Sequence, residues 1–360
     1  MIYPHSQIWT PETIQDIHRR ADGGYLLSGF RPFREIPTFD ELVFLAAGLT
    51  RFPLEGYKEK CRTQTTLGAR SSSTPLVIET PVYITSSSGL GRNTRGALAK
   101  GSSLIQSALS IGGGKLIPEE VSAKRLIYEV PAELKSVKAL SATRMDAVQV
   151  NVSYGADPER VAALVKKIKA VQERRIPVFV SFAAGRVKDD VKAALRSGAD
   201  AIVLRGLETS PVSSPEGALS FSRMPTVAAI PQAREALRES KALGELNIIA
   251  SGGIIGGADA AKALALGADA VSISESALIA AGYYRSPQEL AGTTTGRDLT
   301  NDVASGAPER VANLINSITM EMALLARSLG KGDVHSLEYE DLAALTIEAS
   351  MMTGLRLAGE

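Results

Sequence analysis

The stretch Ile248–Ala280, IIASGGIIGGADAAKALALGADAVSISESALIA, decides how the chain is read. An apolar run, Ile248 to Ala250, stops at Ser251-Gly252-Gly253, where side chains vanish and backbone N–H groups become available. A helical pattern from Ala258 to Leu266 follows, and Gly267 breaks it. A second apolar run, Ala270 to Ile273, then enters Ser274-Glu275-Ser276. Strand, small-residue loop, helix, strand and loop is the rhythm of parallel α/β units. Two successive parallel strands ending in such loops make an anion site at the carboxyl end of a barrel, commonly for a phosphate after the last two strands. Ordinary tight β-to-α turns have the same composition, and both readings stand at this point.

The rhythm extends upstream. Apolar runs begin at Val82, Ser107, Leu126, Ala147, Val178, Ala201, Asn247 and Ala270. Helical patterns alternate with them: one through Leu98, Leu104 and Ile105, one from Asp157-Pro158 to about Glu173, one from Val187 to Ser197, and one from Val227 to Leu243. Gly198-Ala199-Asp200-Ala201 and Gly267-Ala268-Asp269-Ala270 are one device used twice: a helix ends at glycine and the next strand starts. Eight strands alternating with helices predict an α/β fold, a closed (β/α)8 TIM barrel over residues 81–282. Residues 1–80 break the rhythm and predict an N-terminal extension packed on the barrel. A short helix is expected from Thr10-Pro11-Glu12 through Arg20, a loop over Thr63 to Ser73, and packing through Trp9 and the Phe and Tyr residues. Residues 283–360 predict a polar loop around Thr293-Thr294-Thr295-Gly296, then two helices, Pro308 to Leu329 and Leu337 to about Leu357. In the first, Val311, Leu314, Ile315, Ile318, Met322 and Leu325 read as a core or oligomer stripe.

A net charge of +1 gives no electrostatic case for nucleic acid or an anionic membrane. The single cysteine, Cys61, excludes an intramolecular disulfide. No apolar run approaches the roughly 18 residues of a membrane helix, and the first residues lack a signal pattern. A soluble, cytoplasmic protein is expected.

If Ser251, Gly252, Gly253 and Ser274, Glu275, Ser276 hold a phosphate, the rest of its ligand lies across the barrel mouth. The expected wall is Thr85, Ser86, Ser87 and Ser88, Gly112 to Gly114, Gln149 and Asn151, Ser181, and Gly206 to Glu208. It reads as polar, small and nearly uncharged, suited to a flat heterocycle with amide-like edges, and it has no metal-ligand spacing. His5, His18 and His335 fall outside the barrel, so no histidine base is expected on a barrel strand. Glu208 and Glu275 are the only carboxylates expected at strand ends with acid–base reach, and Glu275 reads rather as the acidic start of a helix. Glu119-Glu120 after Pro118 reads as another helix start. Arg92 and Arg95 open a helix from which they reach towards an anion, and Lys115 is a candidate cation near the mouth.

From about Phe39 to the C-terminus, the runs PTFDELVFLAAGLTRFP, LGARSSSTPLVIETPVYI, ALAKGSSL, GGKLIPEE and SGGIIGGADAAKALALGADAV resemble the FMN-binding domain of the glutamate synthase large subunit. The similarity is greatest to stand-alone glutamate-synthase-like proteins, such as the glutamate-synthase-like subunit of methylamine–glutamate N-methyltransferase (N-methylglutamate synthase). The resemblance implies a (β/α)8 barrel that binds FMN, with the phosphate on the two loops described above. It implies amino acid metabolism: an FMN-dependent oxidoreductase acting on CH–NH2 type donors, reducing an imino acid formed from a 2-oxo acid and an amine.

Departures from the family pattern matter equally. GYYRSPQELAGTTTGRDL holds no cysteine where the family's cluster ligands follow the last strand, so no iron–sulfur cluster is expected. Ser181 and Asn151 stand where the family has lysines, while Gln149 is kept. The family's Gly-Glu-Gly-Gly run becomes Gly112-Gly113-Gly114, and its His-Asp-Gly-Gly run becomes Leu207-Glu208-Thr209-Ser210. A neutral serine cannot stabilise an anionic reduced flavin as a lysine does, so the potential falls unless another cation such as Lys115 substitutes. Loss of basic residues also weakens the case for a dicarboxylate such as 2-oxoglutarate. Three readings follow: an FMN oxidoreductase with altered chemistry, a catalytically degenerate subunit that assembles with catalytic partners, and a phosphate-ester-binding barrel without flavin. The expected associations are a small-molecule substrate, an oligomer, and glutaminase-like, reductase or paralogous subunits.

Overall fold

The computed structural model describes residues 18, 21, 37–45, 52–54, 59–70, 72–112, 114–137, 140, 144–153, 155–172, 175–206, 223–283 and 303–359. The expected helix through Arg20, Trp9, Gly113, the stretch 207–222 with Glu208, and the loop around Thr293–Gly296 lie outside these residues, apart from His18. Three short strands come first: β1 (Leu42–Phe44), β2 (Thr65–Leu67) and β3 (Leu76–Ile78). The barrel strands are β4 (Val82–Ser87), β5 (Leu109–Gly112), β6 (Leu126–Pro131), β7 (Ala147–Asn151), β8 (Val178–Ala183), β9 (Ala201–Arg205), β10 (Asn247–Ser251) and β11 (Ala270–Ile273). They pair in parallel, and β11 closes on β4 through Val271↔Val82 and Ile273↔Ile84. The fold is a closed (β/α)8 barrel, as the rhythm predicts. The second strand starts at Leu109 rather than Ser107, whose hydroxyl instead donates to the Val82 carbonyl at 2.6 Å.

Helices α1 (Arg92–Leu104), α2 (Pro118–Val121), α3 (Pro158–Val171), α4 (Val187–Ser197), α5 (Thr226–Glu239), α6 (Gly257–Leu266) and α7 (Glu275–Ala281) connect the strands or follow them. The Gly-Ala-Asp-Ala device works through its aspartate. Gly198 and Gly267 end α4 and α6 at φ 73° and 119°, where a Cβ is strained. Asp200 then accepts the Val178 N–H at 2.7 Å, and Asp269 the Ile248 N–H at 2.7 Å. Asp146 does the same for Leu126 at 2.9 Å. Each carboxylate satisfies an N–H at the entry of the preceding strand and so fixes strand register at the barrel's amino end. Burial raises the Asp200 and Asp269 carboxyls above the usual carboxylate range, opposed by these hydrogen bonds.

Inside the barrel, Tyr83, Ala108, Ile127, Ala147, Phe179, Ala201, Ile249 and Ala270 form a separate apolar cluster with Val203. Leu67, Leu76 and Ile78 join that cluster, so the β2–β3 hairpin plugs the barrel's amino end. Gly68 permits this closure at φ 75°, with its N–H on Asn247 Oδ1 at 2.9 Å. The expected loop over Thr63 to Ser73 is thus corrected: β-branched Thr65 and Thr66 enter a strand because β3 pairs with them.

The C-terminal part contributes α8 (Ala307–Ser328), β12 (Leu342–Ala344) and α9 (Ile347–Thr353). Val311, Ile315, Ile318 and Met322 of the expected stripe are buried, and Leu314 and Leu325 pack at its edge. Helix α8 lies against α1, α6 and α7. At α1, a Cβ on Gly101 would fall 2.7 Å from Val311 Cβ, so the helices cross at glycine contact. The second expected helix, Leu337 to Leu357, is corrected to a strand and a short helix. Leu342, Ala343 and Ala344 pair antiparallel with Phe44, Val43 and Leu42, a pairing that no local periodicity announces. No described helix is long and apolar enough to cross a membrane.

Asp190, in the first turn of α4, is pushed up to about 7 by burial and by neighbouring Asp189, against the Arg186 backbone and charge. Its folded pKa lies above the unfolded value of 3.8, so the stability linked to its protonation is complete below 3.8 and lost as pH rises through about 7. Asp190→Asn is predicted to raise the melting temperature at pH 8 relative to the parent and to lose that advantage at pH 4 or below. Thermal melts at both pH values check this, and a constant difference across pH would refute it.

Candidate functional site

Strand alternation builds the site directly above the apolar layer. Two residues beyond Tyr83, Ala108, Ile127, Ala147, Phe179, Ile249 and Ala270 stand Thr85, Ser110, Glu129, Gln149, Ser181, Ser251 and Ser272. With a side-chain period of two, these face the same interior from the carboxyl half of the strands. Of the expected residues, the strand geometry brings Thr85, Gln149, Ser181 and Ser251 into this layer. Ser86 faces the opposite side of β4 yet is buried, and Ser87 is exposed at the strand end.

Two expected features are corrected. The wall is not nearly uncharged, and Glu208 and Glu275 are not the whole supply of carboxylates. Glu129 on β6 is a buried carboxylate inside the mouth, 9% exposed. Ser110 Oγ donates to its Oε1 at 2.6 Å and Asn151 Nδ2 to its Oε2 at 2.8 Å. Gln149 Nε2 donates in turn to Asn151 Oδ1 at 2.8 Å. Gly112, paired with Glu129 across β5 and β6, makes the room: a Cβ there would lie 2.3 Å from Glu129 Cβ. Arg205 ends β9 on the face shared by Ala201 and Val203, and its Nη2 donates to the Val152 carbonyl at 3.3 Å, beyond β8. The sequence signal for both was a lone charge two residues past an inward apolar one, in LIYEV and AIVLR.

Several buried polar atoms in this region have no hydrogen-bond partner among the described residues: Ser86 Oγ, Gln149 Oε1, Ser181 Oγ and Tyr83 OH. Tyr83 neighbours Ser272 without a hydrogen bond of good geometry, while Thr85 and Ser272 hydrogen-bond each other. Burial, with the Glu129 charge adding to it, pushes the Tyr83 phenol far above its ordinary value, so it stays neutral. Buried polar atoms of this kind ordinarily find partners, and a ligand with amide-like edges supplies them.

The two small-residue loops lie side by side, because Ser251 and Ser272 are paired across β10 and β11. Two carbonyls of the first loop are occupied. Gly206 N–H donates to Ser251 O at 2.8 Å, and Thr226 Oγ1 donates to Gly252 O at 2.7 Å. Gly252 and Gly253 turn at φ 103° and 74°, and nothing lies within 4 Å of a Cβ placed on Gly253. Among the described residues, the N–H groups of Gly252, Gly253 and Ile254 meet no acceptor. Ser276 Oγ donates to Ile254 O at 2.9 Å and ties the second loop to the first. Ser274 stands at the N-cap position of α7 without a side-chain capping hydrogen bond, and Glu275 is the first residue of the helix, the position read as a helix start.

The expected cations fall elsewhere. Arg95 is only 8% exposed and is held by Glu120: Nε to Oε1 at 2.7 Å, Nη2 to Oε2 at 2.6 Å. It is a structural ion pair and not an anion ligand, which corrects that reading. Glu120 also accepts the Ile117 N–H at 2.9 Å, holding α2 against α1. Arg92 is exposed and 3.7 Å from Glu119, and Lys115 is exposed. His335 lies away from the barrel strands, bonded to Thr65 at 2.9 Å, and burial lowers its pKa. Two surface clefts, of about 300 and 260 Å³, lie outside the mouth, beside Asp157 and Arg160 and between α1 and α8.

The class defined so far is a closed (β/α)8 barrel with a polar inner layer and paired glycine–serine loops at its carboxyl end. Comparison with known proteins narrows this. Residues 156–332 match the conserved region in glutamate synthase. A glutamate synthase large subunit-like protein of Rhizobium meliloti (strain 1021) is 32% identical, over 96% of this chain and 93% of its own length. An archaeal-type glutamate synthase [NADPH] of Dehalococcoides mccartyi is 26% identical over 99% of this chain and 86% of its own. The chain belongs to the glutamate synthase large-subunit-like family. Among solved structures, a mutant flavocytochrome b2 with sulfite bound superposes with a TM-score of 0.60 at 17% identity, covering 89% of this chain and 79% of that one. A mandelate oxidase carrying an FMN adduct gives 0.58 at 15% identity, covering 84% and 87%. Both share the barrel.

The Arg95–Glu120 pair gives a prediction. Glu120→Gln leaves a buried guanidinium without its counter-charge and is expected to destabilise the chain by about 3 kcal/mol. The double variant Arg95→Met with Glu120→Leu is expected to recover most of that loss. Denaturant unfolding of all three chains tests it, and equal destabilisation by the single and double variants would contradict the assignment.

Proposed function

We propose that this protein is an FMN-dependent oxidoreductase of the glutamate synthase type, acting on an amine or imino acid substrate without an iron–sulfur cluster of its own. The observation that carries the reading is the pair of unpartnered buried atoms, Gln149 Oε1 and Ser181 Oγ, in the same mouth as loops with open N–H groups. The residues suit the cofactor. The Ser251-Gly252-Gly253 and Ser274-Glu275-Ser276 loops would hold the phosphate by backbone N–H groups. Gln149 Oε1, Ser181 and the β4 end, Thr85 to Ser87, would meet the polar edge of the ring. Bound FMN would supply hydride exchange between a carbon–nitrogen bond and an electron carrier.

The chain's own groups shape what that chemistry can do. Ser181, fully buried and neutral, orients a ring without adding charge to it. Glu129 and Arg205 bring opposite charges to the mouth, so a substrate with both an amine and a carboxylate suits it. The apolar layer beneath, with Tyr83 and Phe179 fully buried, excludes water from below. The chain has one cysteine, too few for a cluster, so electrons would come from a separate reductase, with a glutaminase-like subunit needed if ammonia derives from glutamine. A cytoplasmic oligomer fits this role.

A second reading has its own observation. Ser181 and Asn151 are uncharged where the resemblance implies lysines, which favours a catalytically degenerate subunit assembled with active partners. The two separate in one experiment: a chain that takes up FMN and bleaches with dithionite but never turns over an amine with a 2-oxo acid fits the second.

Titration of the purified chain with FMN, followed by its visible absorption band, tests the cofactor, and a colourless protein at saturation would remove it. Ser274→Asp sharpens the test because Ser274 makes no capping hydrogen bond that the change would remove, and the carboxylate sets a negative charge beside the phosphate. FMN affinity is predicted to fall about tenfold or more, while riboflavin, which has no phosphate, binds as before. Equal losses for both would reject the phosphate assignment.

A further inference from the structure

The row Gln149–Asn151–Glu129–Ser110 has a polarity that its residues cannot reverse. A carboxylate only accepts hydrogen bonds, so Asn151 must present Nδ2 to Glu129 and Oδ1 to Gln149. Gln149 must then present Nε2 to Asn151, which leaves its Oε1 outward and unpartnered, 3% exposed as a residue. Ser110 spends its one proton on Glu129. Each amide nitrogen in the row spends one of its two N–H groups within it, Gln149 Oε1 is the one buried atom of the row without a partner, and Glu129 keeps further lone pairs.

Charge compounds the polarity. Glu129 is buried, and no Lys, Arg or His among the described residues stands within ion-pair distance of it. Two other buried carboxylates are balanced, Glu120 by Arg95 and Asp200 by Lys169 at 2.9 Å. A buried carboxylate without a counter-charge is costly unless a ligand supplies one. An imide N–H of a flavin would engage Gln149, but a neutral ring leaves Glu129 uncompensated. What Glu129 lacks is a cation with N–H donors, and a primary ammonium offers three donors and one positive charge.

We propose that Glu129, oriented by Ser110 and Asn151, is the group that binds the protonated amine of the substrate and selects amines over neutral molecules of the same size. This deepens the oxidoreductase reading and rests on it only for the identity of the reaction. Selection follows from chemistry: an alcohol brings one donor and no charge, whereas an ammonium forms charge-assisted hydrogen bonds with the carboxylate. Gly112 belongs to the device, because a Cβ there would come within 2.3 Å of Glu129 Cβ.

The test is calorimetric titration of the full chain, with and without FMN, using ethylammonium chloride and its neutral counterpart ethanol. The parent chain is expected to bind ethylammonium and not ethanol. Glu129→Gln is expected to weaken ethylammonium at least about tenfold, and Ser110→Ala, which keeps the charge, by only about two- to threefold. Unchanged ethylammonium affinity in Glu129→Gln, or ethanol binding as well as ethylammonium in the parent, would overturn the proposal. The parent's own selectivity decides if Glu129→Gln does not fold. A chain that binds no FMN but loses ethylammonium with Glu129 would sink the flavin reading and leave this one. A chain that binds FMN while both variants keep ethylammonium would do the reverse.

Discussion

The constraint behind this structure is the room inside a closed eight-stranded parallel barrel. Such a barrel has no pore: its interior is filled by whatever side chains the strands turn inward. Here one inward layer is apolar, from Tyr83 to Ala270, and the β2–β3 hairpin seals it below. The next inward position on each strand except β9 is polar or charged. Two residues of strand, roughly 6–7 Å, therefore separate a packed core from a site. The register of every strand must hold for this, since a one-residue slip would turn Glu129 outward and Val130 inward. Asp146, Asp200 and Asp269 contribute by tying strand entries together at the amino end.

The same geometry accounts for what could be read from the sequence. Strands alternating with helices have a local signature, and the barrel was legible from Val82 to Ile273 because each βα unit repeats it. The paired loops were legible because glycine and serine announce a bare backbone. Glu129 and Arg205 were not, although their strands were found. In short apolar runs such as LIYEV and AIVLR, the inward face is fixed only by pairing with neighbours, and that information is non-local. The β1–β12 pair was hidden for the same reason: two three-residue strands about 300 residues apart have no periodicity of their own. Arg95 shows the converse. A basic residue at a helix start looked available for an anion, and only the fold reveals that Glu120 has taken it.

The two ends of the mouth answer to different physics. At the loop end, the side chains do little and the backbone dominates: Gly206 and Thr226 occupy the Ser251 and Gly252 carbonyls, while the N–H groups of Gly252, Gly253 and Ile254 stay open among the described residues. Such a site depends on glycine and on turn geometry, and it tolerates wide variation elsewhere in the chain. At the strand end across the mouth, from β6 to β9, side chains decide everything. That end can change its chemistry by single substitutions without disturbing the fold, because the apolar layer beneath carries the packing.

This separation gives meaning to the departures from the family pattern. The resemblance implies lysines where Ser181 and Asn151 stand, so two positive charges are absent from the arc of strands β7 and β8. In their place, Asn151 serves as a donor to a buried carboxylate one strand away. A lysine at the same position would neutralise Glu129 instead of orienting it, and the arc would then attract anions. Asparagine keeps the carboxylate in place and leaves its charge to the ligand. Arg205 reaches the Val152 carbonyl, next in sequence to Asn151, so positive charge is present at the mouth but displaced by two strands from β7 to β9. The neutral residues at 151 and 181 thus belong to a charge pattern with a carboxylate on β6 and a guanidinium on β9, and that pattern has a sign and a direction.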